Sequence, residues 1–161
     1  MIQLTSVLVA FDFSDTSRSA LKYGQDLART LGGRLHVLHV ADVISTSAAQ
    51  FYPEGPGNPE AKAEELALGQ LRTLLDAEDA REARPAVRVA PDPAKAIVDY
   101  AREIHADLLL VGTHGRTGVS RVLMGSVAEH VVRTAPCPVL VVRPSDHEAV
   151  VPDPVSVAAR M

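Results

Sequence analysis

The fold is decided by residues 107–132, which read DLLLVGTHGRTGVSRVLMGSVAEHVV. The first five residues form an apolar run typical of a buried strand, and the residues from Val127 onward have the period of a helix. Between them lies a glycine-rich segment from Gly112 to Ser126. A strand, a glycine-rich turn and a helix in this order predict a βα unit whose helix begins where the loop ends.

This turn is a candidate anion site. Glycines bring backbone N–H groups close to an anion, and a helix N-terminus adds partial positive charge. The loop is not of the Walker type, because no Gly-Lys-Ser/Thr ends it, and it does not follow Gly-x-Gly-x-x-Gly. The alternative is that the glycines serve only turns with positive φ or close packing. Their position between a buried strand and a helix favours phosphate binding.

The rest of the chain repeats the alternation of strand-length apolar runs and helical segments, which predicts a parallel sheet. We expect an open, doubly wound α/β fold with helices on both faces, in a single domain over residues 1–144. Residues 145–161 are weakly patterned and predict a flexible tail, and residues 41–59 a loop. The predicted strands are 6–11, 35–40, 86–90, 107–111 and 139–142. Four helices are predicted. The first begins after a cap at Ser14, ends at Gly32 and has Leu31 on its inner face. The second covers 60–83, the third begins after a cap at Asp92, and the fourth follows the glycine-rich segment and ends at Thr134.

Composition excludes several classes of function. A formal charge of −4 and only three scattered lysines argue against nucleic acid as a partner. No apolar run approaches the roughly 20 residues of a membrane span, and no signal peptide opens the chain. The single cysteine, Cys137, excludes an internal disulfide and is interpreted as a packing residue. We therefore expect a soluble, cytoplasmic protein without a membrane partner.

The glycine spacing resembles the nucleotide-binding signature of the universal stress protein family. Two residues separate Gly112 from Gly115, nine separate Gly115 from Gly125, and a serine follows. The opening VLVAFDFS (7–14) is similar to the family's first strand with its terminal Asp-x-Ser, and CPVLVVR (137–143) to its last strand. The resemblance covers residues 3–144 and points to the ATP-binding subgroup. It implies the strand order 3-2-1-4-5 of adenine nucleotide alpha hydrolase-like folds.

With that order, ligands bind at the carboxyl ends of the strands, where the strand order reverses. The reversal lies between the first and fourth strands, which end at Asp12 and Gly112. The resemblance implies that Gly112 and Gly115 lie near the ribose and phosphates, and that Gly125 lets the chain approach the phosphates. Asp12 either caps the following turn or lines the nucleotide pocket, near a Mg²⁺ or Mn²⁺ ion that the nucleotide phosphates would bridge.

Ser126 has two interpretations. It opens a capping box with Glu129, or it binds phosphate through its hydroxyl and the adjacent N–H of Val127. Within the loop, Arg116 suits an oxyanion but equally a solvated surface, and His114 is similarly ambiguous. The histidines elsewhere have no metal-ligand spacing. Candidate apolar walls for adenine, which are otherwise core residues, are Ala10, Val40 and Val111.

The resemblance implies a stress-response protein that binds ATP, or ADP or AMP, and acts as a nucleotide-dependent sensor. It also implies a homodimer through the last strand, Val139, Leu140, Val141 and Val142, which an edge position would expose. Further protein partners stay open. One alternative is an ATPase or nucleotide-transferring enzyme, but no residue is an evident general base, so at most slow hydrolysis is expected. Another is a dimerisation module that binds no nucleotide.

Overall fold

The computed structural model describes residues 4–41, 58–113 and 124–143 of the chain. Five parallel strands lie in the order β3-β2-β1-β4-β5. This confirms the predicted open sheet with order 3-2-1-4-5. The strands are β1 Ser6–Ala10, β2 Arg34–Ala41, β3 Arg84–Val89, β4 Leu108–Gly112 and β5 Val139–Val142. The helices among these residues are α1 Asp15–Leu31, α2 Pro59–Ala77, α3 Pro93–Glu103 and α4 Ser126–Thr134.

Helices cover both faces of the sheet, as predicted. Successive strand residues point to opposite faces, so Val7 and Val9 pack under α1 and α2, and Leu8 packs under α3 and α4. All five residues of β1 are buried, which is the pattern of a central parallel strand. Two apolar cores, one on each face, therefore fix the sheet from which the loops extend.

Three helix caps are local signals that the sequence predicted correctly. The Ser14 hydroxyl accepts a hydrogen bond from the Ser17 N–H at 3.2 Å, and α1 ends at Gly32 with φ of 66°. Asp92 caps α3 by accepting from the Lys95 N–H at 3.0 Å. A side-chain oxygen at the N-cap and a left-handed glycine at the C-terminus satisfy backbone groups that the helix leaves unpaired.

Two predictions about the helices are wrong. Helix α2 ends at Ala77 rather than Ala83, because Asp79 takes a left-handed conformation with φ of 53° and Ala80 N–H donates back to the Leu75 carbonyl. A non-glycine residue at that position gives the sequence no clear stop signal. Leu31, predicted on the inner face of α1, is 47% exposed, because the buried face of that helix ends at Ala28.

The topology determines where loops meet. β2 lies on one side of β1 and β4 on the other, so the strand order reverses beside β1 and leaves a crevice at the carboxyl ends of β1 and β4. β5 pairs with β4 on one side, and no other described strand pairs with it. Within the described ranges, no helix is long and apolar enough to cross a membrane.

Candidate functional site

The crevice at the strand reversal is built on apolar strand ends. Ala10 and Val111 are buried in the core beneath α3 and α4, and Val40 packs against the same core while half-buried. Their burial agrees with the core interpretation that the sequence left open. Since all three lie on one face at or near strand ends, their second role as walls for a nucleobase stays a prediction.

Asp12 follows β1 and is half-buried. Its Oδ1 accepts hydrogen bonds from the Ser14 N–H at 3.0 Å and from the Ser14 hydroxyl. The capping role weighed for Asp12 is therefore confirmed, as an Asx-type turn. No residue in the described ranges donates to Oδ2. One oxygen of the carboxylate fixes the turn while the other remains available to a ligand.

Phe13 and His39 were missed as site residues by the sequence analysis. Phe13 has φ of 66°, in the left-handed region that bulky residues avoid. Its ring lies 4.8 Å from the ring of His39 and 5.2 Å from that of Phe11. The His39 Nδ1 lies 2.8 Å from the Phe11 carbonyl oxygen. A buried histidine within an apolar strand, two residues before its end, was the signal available in the sequence.

Gly112 ends β4 and approaches the first turn of α1. A Cβ atom at Gly112 would lie 2.9 Å from Cγ2 of Thr16 and 3.3 Å from its carbonyl carbon. Thr16 is buried, so little free space surrounds this contact. The structure thus gives Gly112 a packing requirement, which is one of the two alternatives that the sequence left open. Its proximity to a ligand stays a prediction.

The start of α4 differs from the capping box predicted at Ser126. Gly125 is the N-cap, with φ of −62° and ψ of 151°, and Ser126 is the first helical residue. The Glu129 N–H donates to the Gly125 carbonyl, and the Glu129 carboxylate pairs with Arg133 at 2.8 Å instead of reaching back to cap. The predicted capping box is therefore wrong: the N-cap lies one residue earlier, at Gly125, and makes no side-chain cap. Gly125 has no side chain that could accept from the first N–H groups of α4, which include those of Ser126 and Val127.

The ends of the glycine-rich segment meet at the crevice. The Gly125 N–H donates to the Thr113 carbonyl at 2.6 Å, and the Thr113 N–H donates to the Val142 carbonyl at 2.9 Å. The segment therefore leaves β4 and returns to the same point, where α4 begins. The predicted contacts His114, Gly115 and Arg116 lie outside the described residues, as do residues 42–57 of the predicted loop and the predicted tail over 145–161. Ala41, at one end of that predicted loop, belongs to β2, and Pro59, at its other end, begins α2.

The remaining residue types considered for metal or thiol chemistry are the histidines and the single cysteine. The described ranges contain no group of three or more His, Cys, Asp or Glu residues placed to hold a metal ion. His36 and His39 are buried in β2, and His39 has the structural role expected of it. Burial, followed by the charge of Asp107, raises the pKa of the Cys137 thiol. A thiol held in its protonated form is a poor nucleophile, in agreement with the packing role predicted for it.

Comparison with known proteins identifies the family. The model of the universal stress protein family matches residues 4–143. A universal stress protein of Methanocaldococcus jannaschii is 31% identical over 150 residues, spanning 85% of this chain and 81% of that protein. A relative in Staphylococcus aureus strain USA300 is 33% identical over 149 residues, spanning 89% and 86%. The chain belongs to the universal stress protein family, as its glycine spacing indicated.

Solved structures of the family share the fold. The universal stress protein UspA of Lactobacillus plantarum superposes with a TM-score of 0.68 at 27% identity, covering 89% of this chain and 100% of that one. A universal stress protein solved in complex with cAMP gives 0.62 at 26% identity, covering 89% and 100%. The Archaeoglobus fulgidus protein solved in complex with dAMP gives 0.58 at 25% identity, covering 88% and 99%. Two of these relatives thus bind adenine nucleotides.

Proposed function

We propose that this protein binds an adenine nucleotide, ATP or else ADP or AMP, in the crevice at the carboxyl ends of β1 and β4, and that it acts in the cytoplasm as a nucleotide-dependent regulator in stress response. The observation that carries the proposal is a convergence of three elements. The Asp12 turn, the end of β4 and the uncapped start of α4 meet where the strand order reverses. The complexes of relatives with cAMP and dAMP support the ligand class.

The phosphates are assigned to the start of α4. Backbone N–H groups at a helix N-terminus bind anions, and Gly125 offers them no competing side-chain acceptor. Ser126 is exposed at this point. Glu129, whose negative charge would oppose a polyphosphate, is paired with Arg133. A Mg²⁺ or Mn²⁺ ion bound mainly by the phosphates would complete the charge balance, with Asp12 nearby.

The nucleoside is assigned to the β1 side of the crevice. Oδ2 of Asp12 can accept a hydrogen bond from a sugar hydroxyl or an amine, and Ala10, Val40 and Val111 supply apolar surface for the base. Hydrolysis of the bound nucleotide would be slow at most, since the sequence offers no evident general base and Asp12 is engaged through Oδ1 in its own turn. A sensor of nucleotide level needs binding and not turnover.

The protein is further proposed to be a homodimer through β5. The edge strand presents Leu140, which is 38% exposed, and α4 beside it presents Val132, which is 43% exposed. An apolar strand edge invites pairing with another chain, and a second copy would extend the five-stranded sheet across the interface.

The test is calorimetry with ATP, ADP and AMP, each with and without Mg²⁺ or Mn²⁺, together with nucleotide extraction from freshly purified protein. We expect micromolar or tighter binding that a divalent ion strengthens. Gly125→Ala should weaken binding strongly, because its methyl group would lie where the phosphates approach, and the φ of −62° itself suits alanine. Gly115→Ala is expected to weaken binding as well. The absence of heat with all three nucleotides would leave the dimerisation module as the surviving alternative.

A further inference from the structure

We propose that Phe13 and His39 are positioning residues of this site: their packing on Phe11 holds the turn that aims Asp12 at the ligand. The inference rests on the proposed function and adds to it the residues that shape the site. Neither side chain carries the ligand-binding role itself.

The backbone at Phe13 has an unusual conformation for its place in the fold. Three non-glycine residues of the described ranges have positive φ: Phe13 at 66°, Asp79 at 53° and His105 at 50°. Asp79 and His105 each lie just beyond the C-cap of a helix, where a left-handed residue is a common way to end it. Phe13 instead lies between a strand and a helix start. Strain of this kind persists only where surrounding structure imposes it, and it concentrates at functional sites.

The surrounding structure is an aromatic cluster formed by Phe11 and Phe13, which follow β1, and by His39 of β2. The ring of Phe13 meets the His39 ring edge-to-face, at 4.8 Å and 69°, and the Phe11 ring at 5.2 Å and 73°. The His39 Nδ1–H donates to the Phe11 carbonyl at 2.8 Å, which fixes the plane of the imidazole. Phe11 and His39 are both buried. The cluster thus offers the Phe13 ring a defined place that compensates for its backbone conformation.

The conformation of Phe13 determines where Asp12 points. The chain reverses at Phe13, and this brings the Ser14 N–H to 3.0 Å from Oδ1 of Asp12. The Ser14 hydroxyl donates to the same oxygen, so both bonds that hold the carboxylate depend on where the turn places Ser14. If the turn moved, the Asp12 carboxylate would lose its fixed orientation. Glycine at position 13 would adopt the same φ without strain, but it would leave the turn free to move. A phenylalanine here therefore favours rigidity at the cost of local strain, as a preorganised binding group requires.

The experiment compares Phe13→Gly with the conservative control Phe13→Tyr, which keeps the ring. Phe13→Gly should weaken ATP binding by calorimetry at least tenfold, whereas Phe13→Tyr should stay within about twofold of the parent protein. His39→Gln removes the ring contact and should fall between them. A urea titration of each variant separates loss of binding from loss of folding.

Two readouts distinguish positioning from simple packing. If Phe13 acts through Asp12, then Phe13→Gly added to Asp12→Asn should weaken binding no further than Asp12→Asn alone, whereas independent effects would multiply. Without any ligand, hydrogen exchange of the Ser14 amide should accelerate at least tenfold in Phe13→Gly and remain unchanged in Phe13→Tyr. Parent-like Ser14 exchange in Phe13→Gly, or multiplying effects in the double variant, would overturn the inference. A parent protein that binds no nucleotide would instead refute the proposed function.

Discussion

Replacing Gly112 by alanine tests whether the end of β4 needs glycine for packing or only for a ligand. The added methyl carbon would lie 2.9 Å from Cγ2, 3.1 Å from Cβ and 3.3 Å from the carbonyl carbon of Thr16. Carbon atoms pack best about 3.5–4.0 Å apart, so either the first turn of α1 or the end of β4 must move. Overpacking of this kind typically costs about 1–3 kcal/mol. We expect Gly112→Ala to lower the free energy of unfolding by about 2 kcal/mol in protein freed of nucleotide.

Urea denaturation followed by circular dichroism measures this change, and two companion variants make it specific. Adding Thr16→Ser removes Cγ2 and keeps the hydroxyl, so the pair should recover part of the loss, and the double-mutant cycle should give a coupling of about 1 kcal/mol. Gly69→Ala is the matched control, because a Cβ there meets nothing within 4 Å and alanine favours a helix interior; it should stabilise the protein by about 1 kcal/mol. A Gly112→Ala variant as stable as the parent would refute the packing argument and leave ligand approach as the reason for the glycine.

Three further predictions concern pH, the amino end of the sheet and assembly. Burial, and then neighbouring arginines, lower the pKa of His36 from 6.5, so the unfolded chain takes up the proton more readily and stability should fall as pH drops below 6.5. His36→Leu should flatten the dependence of the free energy of unfolding on pH, whereas His130→Gln, at an exposed position, should leave it unchanged. Equal slopes in the parent protein and in His36→Leu would contradict the prediction. Asp107 accepts bonds from the Thr5 N–H, the Thr5 hydroxyl and the Ser6 N–H, at 2.8, 2.9 and 3.0 Å. These bonds lower the pKa of Asp107, so their contribution to the free energy of unfolding should be lost as pH falls through that lowered value. Asp107→Ala should lower the free energy of unfolding by about 1–2 kcal/mol at neutral pH, and an unaltered urea midpoint would contradict this. The Pro138 and Val142 carbonyls accept from β4, so the alternate residue Val141 turns its N–H to the open edge. Val141→Pro, which removes that N–H, and Val141→Lys should each reduce the dimer mass by light scattering at tens of micromolar; a dimer that tolerates both changes would place the interface elsewhere.

The sequence by itself determined the order of strands and helices along the chain and three of the helix caps. Strand-length apolar runs alternating with helical periods predict a parallel sheet, and Ser14, Gly32 and Asp92 mark helix ends correctly. These signals are readable because each depends on free energies within one helical turn: a side chain accepting a nearby N–H, or a glycine taking a left-handed angle. The strand order and the ligand class followed from the family resemblance of the glycine spacing.

Tertiary structure alone decided how the crevice is built. The approach of Gly112 to Thr16, and of Phe13 to His39, joins residues far apart in the sequence, and no local pattern encodes such contacts. The position of the N-cap at Gly125 rather than Ser126 depends on the bond from its N–H to Thr113, because that bond places the cap at the end of β4. Local chemistry fixes which residues can begin or end an element. Packing between elements fixes which of those options is used, since close-packed interiors tolerate neither overlap nor voids.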